Sequence, residues 1–171
     1  MERGVHVLKA IGRIVQFAAR FFVGRILLRI AVRAVARPQF VGAVGVVVNA
    51  EGKVLIAQHA YRTDFSWGLP GGWVEPGENP AKTVERELAE ELNLKIAVER
   101  LVMCDIVPAV ARSIAPRHLG LAFRCRLISG EVRTSHEIVG VDWVDARRIP
   151  YDVAPFQGRA IAAAVEENGR L

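Results

Sequence analysis

A short helix with a marked start and end lies in the middle of the chain, between segments typical of strands. Asn79 is a good N-cap residue, and Pro80 suits the first helical position. The apolar spacing predicts a helix from Pro80 to about Leu92, and Asn93 follows where a left-handed residue closes many helices. Because strand-like segments lie on both sides of this helix, we predict an α/β or α+β fold with a mixed sheet.

The flanking segments carry strand and turn signals. Residues 41–48 and 54–58 are apolar runs joined by a turn, which predicts a hairpin. Residues 61–79, rich in Gly, Pro and Trp, predict a structured loop. In residues 118–127, apolar side chains alternate with a second set on the other face, which includes His118, Arg124 and Arg126. Further elements are predicted at 138–144 (a strand) and 155–168 (a closing helix).

Composition excludes several classes of protein. The 171 residues are 51% hydrophobic and 24% charged, which is typical of a globular domain and unlike a disordered or low-complexity chain. The two cysteines, Cys104 and Cys125, lie far apart in sequence and fit neither a disulfide scaffold nor a zinc site. The sequence therefore predicts a reduced, cytoplasmic setting.

Charge divides the chain into two unlike parts. Residues 1–37 contain eight basic side chains and one acid, a net charge of +7. Residues 38–171 contain 15 basic and 17 acidic side chains, a net charge of −2. We predict a basic amphipathic helical extension at 1–37, called the N-terminal arm below, and a globular domain at 38–171.

The N-terminal arm is predicted to be helical, because residues 5–36 contain no Pro, Ser, Thr or Asn. Arginines interrupt it too often for a transmembrane span, which needs about 20 apolar residues. A polar stripe and a second, basic stripe fall on nearly opposite sides of one helix, which predicts a bend or break near Gly24. The polar stripe is Lys9, Arg13, Gln16 and Arg20, and the basic stripe is Arg25, Arg29, Arg33 and Arg37. The pattern leaves three partners open: its own domain, a second subunit in a homodimer, or a peripheral contact with a membrane surface.

Three carboxylates gather on one face of the central helix. Glu87, Glu90 and Glu91 are spaced i, i+3, i+4. Like charges at this spacing destabilise a helix by about 0.2–0.5 kcal/mol per pair, and a cation would offset that repulsion. Ligands that are all oxygens favour Mg²⁺ or Mn²⁺ over zinc. The alternative is a solvated acidic patch with no ligand.

A wider pattern surrounds these carboxylates. It begins with Trp67-Gly68-Leu69-Pro70-Gly71-Gly72 and continues with five residues, Glu78, seven residues, and Arg86-Glu87-Leu88-x-Glu90-Glu91-x-Asn93-Leu94. This resembles the box of the Nudix hydrolases, G-x5-E-x7-R-E-U-x-E-E-x-G-U, where U is aliphatic. Every fixed position matches except the last glycine, which is Asn93 here. Asparagine is a mild replacement where a position needs only a positive φ.

The resemblance implies the Nudix fold, a mixed sheet in an α/β/α sandwich, for residues 38–171. It implies a divalent-metal-dependent hydrolase in which water attacks a phosphorus of a nucleoside diphosphate linked to another moiety. It further implies metal ligands at Glu87, Glu90, Glu91 and the Gly72 carbonyl, catalytic roles for Glu87 and Glu90, and supporting roles for Arg86 and Glu78. Glu137, six residues before Trp143, is a second candidate for general base or metal ligand, with a surface loop acid as the alternative.

The partner implied by the resemblance is a nucleotide-type small molecule and no specific nucleic acid. Its identity stays open, although Pro108 lies close to the proline position of members that act on ADP-ribose. Trp67 and Trp73 are candidates either for stacking on a base or for core packing, and Arg112, Arg117 and Arg124 either for meeting phosphate or for an exposed strand face. His59, His118 and His136 lack ligand spacing and are predicted at the surface or at strand edges.

Two other functional classes compete with the enzyme. One is a Nudix-fold binding or regulatory module without catalysis, and the other is a peripheral membrane protein that acts through the N-terminal arm. The intact set of Glu87, Glu90 and Glu91 favours the enzyme, because binding alone does not need three clustered carboxylates.

Overall fold

The computed structural model describes residues 17, 22–36, 39–109 and 115–166. The chain divides between Pro38 and Gln39 into two compact units. In chain order the elements are α1 (Phe22–Val35), β1 (Val41–Val48), β2 (Lys53–His59), β3 (Trp67–Gly68), β4 (Gly71–Trp73), α2 (Pro80–Leu92), β5 (Lys95–Val107), β6 (His118–Ser129), β7 (Ile138–Asp145) and α3 (Pro155–Glu166).

Helix α1 is the described element of the first unit. It runs without interruption through Gly24, so the bend predicted near that residue does not break α1 there. Its side chains from Arg25 onwards are exposed. The polar stripe predicted on Lys9, Arg13, Gln16 and Arg20 lies outside the described residues. None of the helices in the described ranges is both long enough and apolar enough to span a membrane.

The strands of the second unit form one mixed sheet. Strand β1 pairs in parallel with β6 along its whole length, and it pairs antiparallel with β2 and β4. Strand β5 pairs antiparallel with β6, while β3 and β7 pair antiparallel with β2. The predicted hairpin is present, and the side chain of Asn49 closes its turn by accepting from the backbone amides of Glu51 and Lys53.

Both faces of this sheet are buried, which explains why its central strands are apolar throughout. In β1, Ala43 and Val47 pack in one core cluster, and Val46 packs in the other. Helix α2 covers the first face and α3 the second, with the buried side chains Val84, Leu88 and Leu92 from α2 and Phe156, Ala160, Ile161 and Ala164 from α3. The predicted α/β/α sandwich is therefore confirmed.

Two details of the second unit differ from the sequence predictions. The segment expected to be a loop, residues 61–79, contains the short strands β3 and β4. Their glycines gave no strand signal, since glycine is depleted in strands. Arg124 is not on an exposed strand face: its side chain is 15% exposed, and it donates to the Ala164 carbonyl and to Glu99. Helix α3 covers the strand face that alternation alone assigned to solvent.

His59, which was expected at the surface or at a strand edge, is buried at the end of its strand. The residue ends β2 and is 1% exposed, with its ring edge-on to that of Tyr61. Within the described part of the chain, neither ring nitrogen has a hydrogen-bond partner. Burial, with the nearby charge of Arg62, lowers the pKa of His59 to about 3, so the ring is neutral at physiological pH.

The ends of α2 match the sequence prediction. The Asn79 side chain accepts from the Ala81 amide at 2.9 Å, and Pro80 is the first helical residue. Asn93 is left-handed, with φ 57° and ψ 32°, and its amide donates to the Ala89 carbonyl. Its side chain adds a contact that a glycine could not make, because Nδ2 donates to the Glu131 carbonyl at 3.2 Å.

We predict that Asn93→Ala will destabilise the protein by about 1–2 kcal/mol, because alanine strains a left-handed position and loses the contact with Glu131. Asn93→Gly removes the strain as well as the contact, so its effect should stay within about 1 kcal/mol. Urea unfolding of the full chain measures both. Equal destabilisation by the two variants would show that the left-handed conformation contributes nothing to stability.

Candidate active site

The end of β4 and one face of α2 enclose a cavity of about 270 Å³, called the acidic pocket here. Strand β4, helix α2 and the loop before β7 bring its walls together. Five of the sequence-predicted site residues line it, while Glu78 and Glu90 do not. The lining is Tyr61, Gly71, Gly72, Trp73, Glu75, Arg86, Glu87, Glu91 and Glu137.

Glu91 lies deepest in the acidic pocket and is 5% exposed. Its carboxylate accepts from the Gly71 amide at 3.3 Å. Burial, followed by the negative charge of Glu87, raises the pKa of Glu91 to about 7. The protein alone therefore offsets little of the negative charge that an ionised Glu91 would carry in these surroundings.

Glu87 lies against β4, where glycine is needed. A side chain at Gly72 would place its Cβ 2.2 Å from Glu87 Oε1, so the Glu87 carboxylate could not keep its position there. The Glu87 side chain is 17% exposed, and burial raises its pKa even though the Arg86 guanidinium opposes the shift. The Gly72 position in the sequence pattern is thus explained by the space that the carboxylate occupies.

Arg86 lies at the edge of this pocket and donates hydrogen bonds to several carboxylates. Its guanidinium contacts both oxygens of Glu78, at 3.1 and 3.2 Å, and Glu87 at 3.0 Å. Glu78 also accepts from the Thr83 hydroxyl at 2.6 Å and from the Glu75 amide. With Arg86 as the largest cause, these donors lower the pKa of Glu78 to about 2. Arg86 therefore joins Glu78 to Glu87, and the positioning roles of Arg86 and Glu78 stay a prediction.

Glu90 stands apart from the two deeper carboxylates. Its side chain is 62% exposed and pairs with Arg86 at 3.2 Å. In the ranges that the structure describes, no three His, Cys, Asp or Glu side chains converge in the arrangement of a metal site. The i, i+3, i+4 spacing puts the three glutamates near each other on α2, but the Glu90 side chain is exposed where it pairs with Arg86.

Glu137 reaches the acidic pocket from the loop before β7. Backbone contacts dock this loop on the end of α2, because the Ser135 amide donates to the Glu91 carbonyl at 3.0 Å. The Glu137 carbonyl in turn accepts from the Ala60 amide at 2.8 Å. The side chain is about half exposed, and its charge contributes to raising the pKa of Glu91. Glu137 therefore faces the same space as the helical carboxylates.

The donors around the acidic pocket suit a hard divalent cation. They are the carboxylates of Glu87, Glu91 and Glu137 and the backbone of Gly72, all of them oxygens. The raised pKa values of Glu87 and Glu91 reflect buried negative charge that a cation would relieve. This chemistry fits the metal that the sequence pattern implies.

A second, larger cavity of about 520 Å³ adjoins the acidic pocket and is called the apolar chamber here. The two cavities share Tyr61, Gly71, Gly72 and Trp73. Trp73 is 43% exposed and packs edge-on against Phe40 and His118, which also line the chamber. Trp67 instead stacks on Tyr151 at 4.0 Å, so of the two candidate tryptophans only Trp73 reaches the chamber.

Sequence reasoning missed most of the chamber. Asp64, Phe156 and Gln157 line it but follow no motif, and Phe65 lines it with a left-handed φ of 51°. A positive φ in a phenylalanine is uncommon and often marks functional segments. Gln157 had no local signal at all, because its burial depends on how α3 packs on the sheet.

Known proteins resemble this chain across the second unit. The NUDIX domain family model matches residues 38–164. A MutT-like protein of Streptomyces ambofaciens is 34% identical over 129 residues, 75% of this chain and 79% of that protein. The NAD-capped RNA hydrolase NudC of Photorhabdus laumondii is 31% identical over 114 residues, 66% of this chain and 42% of that protein. The crystal structure of a UDP-X diphosphatase has the same fold, with a TM-score of 0.66 at 18% identity, covering 99% of this chain and 83% of that one.

We predict that Arg86→Lys will raise the pKa of Glu78 from about 2 towards its ordinary value of 4.5. Lysine keeps the positive charge but cannot make the forked contact with both carboxylate oxygens. The depressed pKa means that ionised Glu78 stabilises the folded protein at neutral pH, and this contribution is lost as the pH falls towards 2. The variant has less of this contribution to lose, so its stability should fall less in acid than that of the unchanged protein.

Carbon-13 NMR titration of the glutamate carboxyl groups measures this shift. Arg126→Lys, an exposed arginine on β6, is the matched control and should leave Glu78 unchanged. A pKa for Glu78 that stays near 2 in Arg86→Lys would assign the depression to Thr83 and Glu75 instead.

Proposed function

This chain belongs to the Nudix family of pyrophosphohydrolases, and we propose that it hydrolyses a nucleoside diphosphate linked to another moiety, with the acidic pocket as its reaction centre. The adjacency of the two cavities, which share part of their lining, carries this proposal. A diphosphate in the acidic pocket leaves the nucleoside within reach of the apolar chamber, because the two spaces share Gly71, Gly72 and Trp73. Apolar walls suit a base, and oxygen ligands with a divalent cation suit phosphates.

Nudix hydrolases generally use divalent metals, and Mg²⁺ or Mn²⁺ is proposed here. Glu87, Glu91 and the Gly72 carbonyl would hold the ion, and Glu90 would join them after leaving its exposed pair with Arg86. When bound, a divalent ion lowers the pKa of a water and screens the diphosphate. Arg86 holds Glu87 in place from the edge of the pocket, which is a positioning role.

Glu137 is proposed to accept the proton of the attacking water. Glu137 faces the helical carboxylates from a separate loop. It can therefore contact a water molecule from a different side than the carboxylates that would hold the metal. The water oxygen bonds to phosphorus, its proton passes to Glu137, and the bridging oxygen leaves with the other phosphate. This is general base catalysis, for which a carboxylate near the water is sufficient.

A binding module without catalysis is the competing proposal. It is disfavoured by the burial of two like-charged carboxylates, Glu87 and Glu91, next to each other. Such an arrangement costs stability, so a chain that only binds a ligand gains nothing by keeping it. The presence of a base candidate at Glu137 favours chemistry as well.

We predict that Glu91→Gln will lower metal-dependent turnover by about 100-fold or more while leaving the protein folded. Glutamine retains an oxygen for the Gly71 amide but lacks the negative charge that a cation needs. Release of phosphate after phosphatase treatment, with Mg²⁺ or Mn²⁺, measures the loss. Glu85→Gln, on the same helix but paired with Lys82 outside the pocket, should keep its activity.

Two further variants separate the proposed roles. Glu137→Gln should lower turnover and leave the metal concentration for half activity nearly unchanged, as expected for a base. Glu90→Gln should raise that metal concentration if Glu90 is a ligand. Wild-type turnover in Glu91→Gln would contradict the assignment of the acidic pocket as the reaction centre.

The N-terminal arm is proposed to hold a cytoplasmic enzyme at an anionic membrane surface. Helix α1 carries Arg25, Arg29 and Arg33 every four residues, with exposed apolar side chains such as Leu27 and Ile30 between them. The arm's net charge of +7 opposes its pairing with a second copy of itself and favours an anionic surface. An amphipathic helix of this composition lies along the interface without spanning it.

We predict that the triple change of Arg25, Arg29 and Arg33 to Gln will weaken binding to vesicles of phosphatidylcholine with about 30% phosphatidylserine. Each arginine near such a surface contributes about 1 kcal/mol, so co-sedimentation should fall by up to about 100-fold, and binding of the unchanged protein should weaken as salt rises.

The matched control changes three exposed arginines of the second unit, Arg133, Arg147 and Arg148, to Gln. It removes the same charge, and its vesicle binding should stay close to that of the unchanged protein. A variant that begins at Pro38 should lose vesicle binding and keep its turnover. Loss of dimers without any vesicle binding would assign the arm to a second subunit, and failure to fold would assign it to the domain core.

A further inference from the structure

The end of helix α2 is completed by a loop that comes from a distant part of the chain. The carbonyl groups in the last turn of a helix have no partner within the helix. In α2, the Glu91 carbonyl accepts from the Ser135 amide at 3.0 Å. The Leu92 carbonyl accepts from the Arg133 amide at 3.1 Å. Both amides belong to residues 131–137, called the β6–β7 loop here, so this loop is attached to the same helix that carries the buried carboxylates.

Asn93 makes a third contact with the β6–β7 loop, through its side chain. Its Nδ2 donates to the Glu131 carbonyl at 3.2 Å. Gly130 lets the two backbones approach each other here, because a Cβ at that position would lie 2.5 Å from the Asn93 carbonyl oxygen. Glu91, Leu92 and Asn93 thus contact every second residue of the loop in turn, which fixes the register of the loop on the end of α2.

Hydrogen bonds rather than packing hold this loop. The side chains of residues 131–134 are exposed, so the first half of the loop has no buried apolar anchor. Segments with exposed hydrogen bonds and few buried apolar contacts are the ones that open locally. The attachment extends to Glu137, since the Ser135 hydroxyl accepts from the Glu137 amide at 3.2 Å. Because the Ala60 amide contacts only the Glu137 carbonyl, a loosened loop should change the orientation of the rest of that residue.

We propose that Asn93 is a positioning residue, which ties the start of the β6–β7 loop to the end of α2 and thereby holds Glu137 in place beside the acidic pocket. The inference rests on the proposed function for the role of Glu137 as a base. The sequence pattern of the family has glycine at this position. Glycine would keep the left-handed backbone but could not donate to Glu131, so the asparagine adds a connection that the shared pattern lacks.

Asn93→Gly tests the attachment of the loop without relying on turnover. The variant keeps the left-handed backbone, so the full chain should stay folded, and it removes one hydrogen bond of the loop. Amide hydrogen exchange followed by NMR should become about 3- to 10-fold faster at Arg133 and Ser135. The matched control is Asn49→Gly, which removes the side-chain contacts of another asparagine, in the turn after β1, and should leave both amides as protected as before.

Turnover shows whether this attachment serves the reaction. With UDP-glucose and ADP-ribose as substrates and Mg²⁺ or Mn²⁺, Asn93→Gly should lower kcat by about 10-fold and leave KM and the metal concentration for half activity nearly unchanged. The same change made in Glu137→Gln should have no further effect on kcat, because the position of the loop matters only while the base is present. Asn93→Asp, which has the same shape but no donor, should lower kcat at least as much as Asn93→Gly.

Three results would overturn the inference: unchanged exchange at Arg133 and Ser135 in Asn93→Gly, unchanged kcat in that variant, or an equal fall in kcat with and without the Glu137 carboxylate. The last would show that Asn93 acts on another part of the site. An unchanged protein that hydrolyses neither substrate with either metal would count against the proposed reaction. The exchange rates would then decide on their own whether Asn93 holds the loop.

Discussion

The close approach of helix α2 to strand β4 is the constraint on which the rest of the site depends. A Cβ at Gly71 would lie 2.2 Å from the Ala43 carbonyl oxygen, and one at Gly72 would lie 2.2 Å from Glu87 Oε1. Without side chains at these two positions, β4 can pair with β1 while α2 lies directly against it. The helical carboxylates thereby reach backbone amides of the sheet, as the contact between Glu91 and Gly71 shows.

This approach brings negative charge into a buried place, and the surrounding structure compensates only part of it. Arg86 donates to Glu78 together with Thr83 and the Glu75 amide, and it also donates to Glu87, but Glu91 has one backbone donor and a pKa raised to about 7. Buried carboxylates without full compensation are typical of functional sites, where a ligand completes the electrostatics. The apolar cores on the two faces of the sheet, packed against α2 and α3, stabilise the fold and offset the cost of burying these carboxylates.

Sequence reasoning succeeded where a feature is local and failed where it depends on packing. The caps of α2 at Asn79 and Asn93, and the grouping of Glu87 with Glu91, follow from short-range spacing and are present as predicted. The burial of His59 and the partial burial of Arg124 escaped prediction because an alternating pattern does not tell whether a second layer covers the other face. The exposure of Glu90 was missed because spacing along a helix does not tell which of the neighbouring carboxylates the sheet covers.

The segment of residues 69–71 contacts a side chain in each of the two cavities. The Leu69 amide donates to Gln157, which lines the apolar chamber, and two residues later the Gly71 amide donates to Glu91 in the acidic pocket. Between them, the Pro70 carbonyl accepts from the Gly45 amide of β1, so the segment is fixed to the centre of the sheet. Because both contacts come from the backbone of residues 69–71, one short segment of the sheet positions a side chain in each cavity, which is how a backbone element can organise two neighbouring spaces at once.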